Sequence, residues 1–406
     1  MFRLSEETTK RIQSIMVKYI NKYFIIAFVV GAMLLLAFFA TTGNMSLEAY
    51  ADNVIEKCKN ATKKQECYDQ EIPKLMGRIS MEDAFRVTTI VQEKDTSFPY
   101  CHVLGHILAN IETKKNPEAW KNVIGRCPSG VCSNGCVHGA FQEKYRSEIL
   151  SGEELEEAKK ELEIMCEGRE GYRPTNVEQG SCYHALGHLL IYVTGADINK
   201  AVSICDETSE KPDGRDFRPL CYDGAFMQIF QPVGAEDITL IQGKEQTKES
   251  VVDFCANYSG EKRVSCWTES WPLFIEEIML PGGALNFCSR LSGEGKETCL
   301  ADIFYIYPIQ VDFNQSSIKK YCSALPGIYK NKCIGQFATR LIEIDSRNVN
   351  MAVSFCEGLD AEEKTKCLEV LADAAGFVFH PDSPEYDELC RLLPTELQSR
   401  CYGQKD

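Results

Sequence analysis

The chain has 406 residues, 44% hydrophobic and 10% aromatic, enough apolar material for a packed core, so disorder is excluded as its main state. Its 59 acidic residues against 44 basic ones give a net charge of −15, which argues against nucleic acid, since that binding depends on neutralising phosphates. Twenty cysteines are too many for casual use by a reduced cytosolic protein, so disulfides or metal clusters are expected.

In chain order, the first feature is a charge-free apolar run at 24–40, FIIAFVVGAMLLLAFFA, preceded by Arg3, Lys10, Arg11, Lys18 and Lys22. Its 17 residues reach the short end of a membrane-spanning helix. The basic flank predicts an uncleaved signal-anchor with 1–23 cytoplasmic and 41–406 extracytoplasmic, a single-pass topology in the cell membrane. A cleaved signal peptide is the rival reading. Four N-x-S/T sequons, at Asn44, Asn60, Asn257 and Asn314, are glycan acceptors if the host modifies exported chains.

Most of the rest repeats. Cys255 with Cys266, Cys288 with Cys299, Cys322 with Cys333, Cys356 with Cys367 and Cys390 with Cys401 share one pattern, with first cysteines 33, 34, 34 and 34 residues apart. Upstream the unit recurs with more variable loops as Cys58 with Cys67, Cys127 with Cys136, Cys166 with Cys182 and Cys205 with Cys221. The periodicity around each pair is helical, and the segment between the cysteines carries Gly, Pro or Asp with charges. Each unit therefore reads as a helix ending at the first cysteine, a loop, and a helix beginning near the second. A disulfide across that corner closes a short loop, contributing roughly 2–3 kcal/mol. Cys101 and Cys132 remain. Cys101 stands where a second cysteine belongs, with Val91 near its partner's place, and pairing it with Cys132 completes ten bonds. Zinc at Cys127, Cys132 and Cys136 is the alternative, though C-x4-C-x3-C departs from the usual knuckle spacing. No C-x-x-C occurs, which removes thioredoxin-like chemistry and covalent haem attachment.

A period near 34 with two helices per unit resembles tetratricopeptide-like and Sel1-like α-solenoids in period and helix count, while the Trp-Leu-Gly-Tyr consensus of the former is absent. The expected fold is all-α, a disulfide-stapled α-solenoid of helical hairpins behind one transmembrane helix.

Five of six histidines fall in three consecutive repeats, at about 97–232. His102-Val-Leu-Gly-His106 and His184-Ala-Leu-Gly-His188 nearly duplicate each other, and His138 aligns with His184. Gln142 takes the slot of His188, and Asp223 that of His184 one repeat later. Histidines at i and i+4 share a helix face and can ligate one ion. His102, His106, His138, His184 and His188 are thus candidate ligands for zinc, copper, nickel or iron, or for a bis-histidine haem b, with Gln142 and Asp223 supplementary. The glycines before His106 and His188 let a cofactor or a neighbouring helix approach closely. Otherwise these are half-buried histidines bonded to carbonyls.

His380 reads as a loop residue, Trp267 and Trp271 as core packing, and the acidic run from Glu153 as a solvated helix face. No HExxH, GxSxG or phosphate-loop motif occurs and no nucleophile stands out, so whether the chain is an enzyme stays open. Two functions follow: a membrane-anchored protein binding a transition metal or haem outside the membrane, or an exported scaffold whose concave face binds another exported protein or a glycan.

Overall fold

The computed structural model describes residues 45–145, 150–170, 172–232, 235–280 and 282–403. The expected lead at 1–23 and anchor at 24–40 lie outside them. Among the described residues no helix is long and apolar enough to cross a membrane. The longest, Asn176–Val193 and Ala361–Val378, have 18 residues each, but the first carries Glu178, Gln179 and two histidines and the second a charged first turn. This corrects the single-pass expectation. The structure supports neither a transmembrane anchor, nor the membrane as a partner, nor the cell-membrane location drawn from them.

Contacts divide the chain into Met1–Tyr50 and Ala51–Asp406, and the second unit holds every repeat. The protein is all-α, and the only strand-like pairings among the described residues are two isolated bridges. Disulfides join Cys58 to Cys67, Cys101 to Cys132, Cys127 to Cys136, Cys166 to Cys182 and Cys205 to Cys221. They also join Cys255 to Cys266, Cys288 to Cys299, Cys322 to Cys333, Cys356 to Cys367 and Cys390 to Cys401. No cysteine is left free, so there is no thiolate for zinc at Cys127, Cys132 and Cys136.

The first cysteine of each repeat pair stands at or near the end of one helix, as at Gly152–Met165, capped by Cys166, or Gly283–Cys288. The second helices are α1 (His102–Lys115), α2 (Gly135–Tyr145), α3 (Asn176–Val193) and α4 (Arg218–Phe230). They continue as α5 (Gly260–Glu269), α6 (Glu294–Gln310), α7 (Ile328–Ile344), α8 (Ala361–Val378) and α9 (Thr395–Cys401).

A helix begins near Cys136 and Cys221, as expected, but several other second cysteines lie deeper in theirs. Cys67 lies inside Lys64–Glu71, and Cys266, Cys299, Cys333 and Cys367 lie in the second turn of α5, α6, α7 and α8. The charged stretch before the cysteine is therefore mostly helix rather than loop. Its acidic residues explain the early start: Glu261, Glu294 and Glu362 stand in first turns, where a negative charge favours the helix dipole. In these repeats the staple thus pins a helix interior rather than its start. Side-chain caps start other helices. Thr175 and Glu178 form a capping box ahead of α3, and Ser151 and Glu154 form one before Gly152–Met165.

Each labelled helix packs on the next, α1 on α2 through to α8 on α9, the repeat stacking expected of helical hairpins. Phe141, Phe226 and Phe304, each five residues after its repeat's second cysteine, are buried between neighbouring layers. Trp267 is core, as expected, stacked on Phe287 and donating its indole N–H to the Phe287 carbonyl at 3.0 Å.

The array is not an open solenoid. Helix α8 packs against α3, and α7 packs against the Cys132–Asn134 turn. Ser346 donates its backbone N–H to the Gly130 carbonyl at 2.9 Å, and Arg347 reaches Glu93 at 2.8 Å. His380, expected to have no role, approaches Glu178 at 3.5 Å. The repeats bend back on themselves, bringing late repeats against early ones.

Candidate functional site

Glycine builds the site. A Cβ on Gly139 would lie 2.1 Å from the His106 carbonyl oxygen, and one on Gly135 would lie 2.2 Å from that of His102. The same contact recurs one layer on, between Gly224 and His184 at 1.9 Å and between Gly187 and Cys221 at 2.0 Å. Bare backbone lets α1 dock on α2 and α3 on α4 at closest approach. Of the two expected occupants of that space, the neighbouring helix fills it.

This docking draws five imidazoles together, with His138 at the centre. Its ring centroid lies 5.0 Å from His102, 4.9 Å from His106, 5.7 Å from His184 and 5.9 Å from His188. Within each i, i+4 pair the Nε2 atoms face each other, at 3.0 Å for His102 and His106 and 3.1 Å for His184 and His188. Glutamines orient both pairs. His106 Nδ1 meets Gln142 Oε1 at 3.2 Å, and His188 Nδ1 meets Gln228 Oε1 at 2.8 Å. Gln142, expected to support the histidines or supplement them from the His188 slot, meets the outer ring nitrogen of His106.

The turn at Cys132, Ser133 and Asn134 has φ of 52°, 47° and 58°, three consecutive left-handed residues without a glycine. Such backbone costs about 1–2 kcal/mol per residue and persists only where its surroundings impose it. Here the Cys101–Cys132 bond and His102 impose it: Nδ1 donates to the Ser133 carbonyl at 3.1 Å and more weakly to that of Cys132 at 3.3 Å. His138 bridges to the next repeat, donating from Nε2 to the Ser181 carbonyl at 3.1 Å, while its Nδ1 is buried without a partner.

Burial holds all five imidazoles neutral. It lowers His102 to about 4, with the Arg340 charge adding to the effect, and pushes His106, His138 and His184 well below the ordinary histidine value. His188 is lowered for the same first reason, against the pull of Gln228.

Three of the five expected ligands, His102, His106 and His138, place one nitrogen each within 4.8 Å of one another, a group that can hold a metal ion. His184 and His188 do not join it. The five rings stand 4.6–5.9 Å apart, which leaves no slot for a porphyrin between them.

Asp223, expected as a supplementary ligand, belongs elsewhere. It lines a cleft of about 500 Å³ with Glu261, Arg263, Ser265 and Arg290, and its charge couples to Glu269 and Asp302. Burial raises Asp223 to about 7 and holds Glu269 and Asp302 well above the carboxylate range.

Sequence reasoning missed these last two carboxylates and also Arg340. From α7, Arg340 bonds the Tyr305 hydroxyl, lies 3.7 Å over the Tyr305 ring centroid and pairs with Glu343 at 3.8 Å. Its charge acts on Tyr100 and His102, which bend-back places close to it.

No known family model, curated protein or solved structure matches the chain. The reading of function therefore rests on the geometry alone.

Proposed function

We propose that the chain is a rigid interaction scaffold for a protein or glycan, with histidines that serve first as structural ties between repeats. The observation that carries it is the repeat packing itself, helical hairpins stapled by disulfides and closed upon each other at backbone contact. Such a body presents the same surface before and after binding, so little ordering entropy opposes association. Disulfides at this density fit an oxidising compartment. His102 and His138 suit the structural role because each donates to a carbonyl of a neighbouring repeat.

The test is to screen the folded chain against peptide and glycan arrays and map any binder by hydrogen exchange. Saturable binding, with protection over outward helices of consecutive repeats and none lost elsewhere, is expected. Absence of any saturable binder, or protection centred on the imidazoles, would count against a scaffold.

The 4.8 Å convergence of His102, His106 and His138 favours a second, narrower reading, a first-row transition ion at these three nitrogens. Neutral imidazole suits zinc, copper or iron. Elemental analysis of chain purified without chelator or metal resin should then find near-stoichiometric metal. A metal-free chain that takes up none from buffered zinc would remove the reading.

A further inference from the structure

The hydrogen positions on the imidazoles separate the two histidine pairs. A carbonyl oxygen accepts only, so a ring nitrogen facing one carries the hydrogen and the opposite nitrogen of a neutral ring carries a lone pair. His102 Nδ1 faces only carbonyls, leaving the lone pair on Nε2. His138 Nε2 faces the Ser181 carbonyl, leaving the lone pair on Nδ1, which is buried and partnerless in a residue 4% exposed. His106 Nδ1 faces Gln142 Oε1, and with the hydrogen on Nδ1 its lone pair falls on Nε2, 3.0 Å from Nε2 of His102, a separation that an ion between the two nitrogens accommodates. Three lone pairs thus fall on residues whose ring nitrogens gather within 4.8 Å of one another. Metal-bound histidines carry this signature, with the second ring nitrogen donating to a carbonyl or amide oxygen.

The other pair is different. No acceptor among the described residues fixes His184 Nδ1, so His184 can carry its hydrogen on Nε2 and donate it to His188 Nε2 at 3.1 Å. His188 meanwhile donates from Nδ1 to Gln228 at 2.8 Å. That pair is satisfied by hydrogen bonding alone, and no third nitrogen serves it, because His138 Nε2 is committed to Ser181.

We infer that His102 Nε2, His106 Nε2 and His138 Nδ1 form a tripodal site for a single zinc-class ion, with a fourth position open to water or a small anion. The inference rests on the metal reading and adds its stoichiometry, its ligand atoms and its exchangeable ligand. Three protein nitrogens leave a tetrahedral ion one position short, the arrangement of exchangeable rather than closed sites. His102 and His106 are only half-buried, so a small ligand can reach the ion. Arg340, 4% exposed and with a buried Nε that has no partner, sets a positive charge close to His102 and favours an anion there.

The experiment is a cobalt(II) titration of the full chain, read by its visible absorption, followed by azide. One equivalent is expected. His138→Gln and the milder His106→Gln should each weaken cobalt binding by about 100-fold or more, while His184→Gln should keep one equivalent. Azide should shift the spectrum, and Arg340→Lys, which keeps the charge, should preserve its affinity, whereas Arg340→Gln should lower it about tenfold. A folded chain that binds no cobalt overturns the metal reading and the inference with it. Two equivalents, or loss in His184→Gln equal to that in His106→Gln, leaves the metal reading standing and overturns the tripod. One equivalent with a spectrum indifferent to azide overturns the open position.

Discussion

Gly224→Ala will destabilise the protein by about 3 kcal/mol or more, among the largest single-methyl effects expected in a helical array. The new Cβ would lie 1.9 Å from the His184 carbonyl oxygen and 2.8 Å from its carbon. Both obstacles are backbone, so no rotamer change relieves them and α3 must move away from α4. The disulfides resist that movement, because Cys182 and Cys221 pin both helices to their hairpins. Gly376→Ala in α8 supplies the opposite sign. A Cβ there meets nothing within 4 Å, and replacing an exposed helical glycine should stabilise by about 0.5–1 kcal/mol. Urea midpoints of the two variants check both values. Equal midpoints would mean that the helices do not approach at backbone contact.

Much of this packing was legible in the chain. A cysteine period of 33 or 34 residues forces a repeated corner, and the structure closes each corner with a bond, down to the odd pair Cys101–Cys132. The aligned histidines do meet, because equivalent positions on stacked helices face one another. What the pattern could not give is which ring nitrogen each imidazole turns inward. That depends on carbonyls such as Ser133 and Ser181, whose placement follows from a left-handed turn and a neighbouring repeat. Hence the alignment names five histidines, while the nitrogens of three of them gather within 4.8 Å of one another.

The missed residues share one cause. Inward polar positions begin two residues after the second cysteine, at His138, His184 and Asp223, but slip to three residues after it at Glu269 and Asp302 and to seven at Arg340. A fixed alignment on Cys266, Cys299 and Cys333 therefore selects Thr268, Ala301 and Gly335 and passes over the charged neighbours. The approach of Arg340 to His102 is longer-ranged still. It follows from the repeats bending back, and no period in the sequence encodes that closure.

The slipped positions produce the second large effect, a loss of stability as pH rises. Glu269 is 8% exposed, and burial first, then the charges of Asp223 and Asp302, hold its carboxyl well above the usual range. A carboxyl whose folded value is raised binds its proton more tightly folded than unfolded. Its stabilising contribution is complete below about pH 4 and is lost as pH rises through the folded value, about 7 for Asp223 and also raised for Glu269 and Asp302. The imidazoles act in the opposite sense. Lowered in the folded chain, to about 4 at His102, they contribute above pH 6.5 and lose that contribution as pH falls through the folded value. Above neutrality the imidazole contribution is flat, and the buried carboxylates give a slope that falls with pH. Glu269→Gln removes the ionisable group and keeps an oxygen to accept from Gln231 Nε2, now 2.8 Å from Glu269 Oε2. The variant should match the wild type closely at pH 5 and become clearly the more stable of the two as pH rises to 8.5. Urea unfolding of both proteins at the two pH values measures the difference. Parallel curves would show that Glu269 ionises in the folded protein as readily as in the unfolded chain.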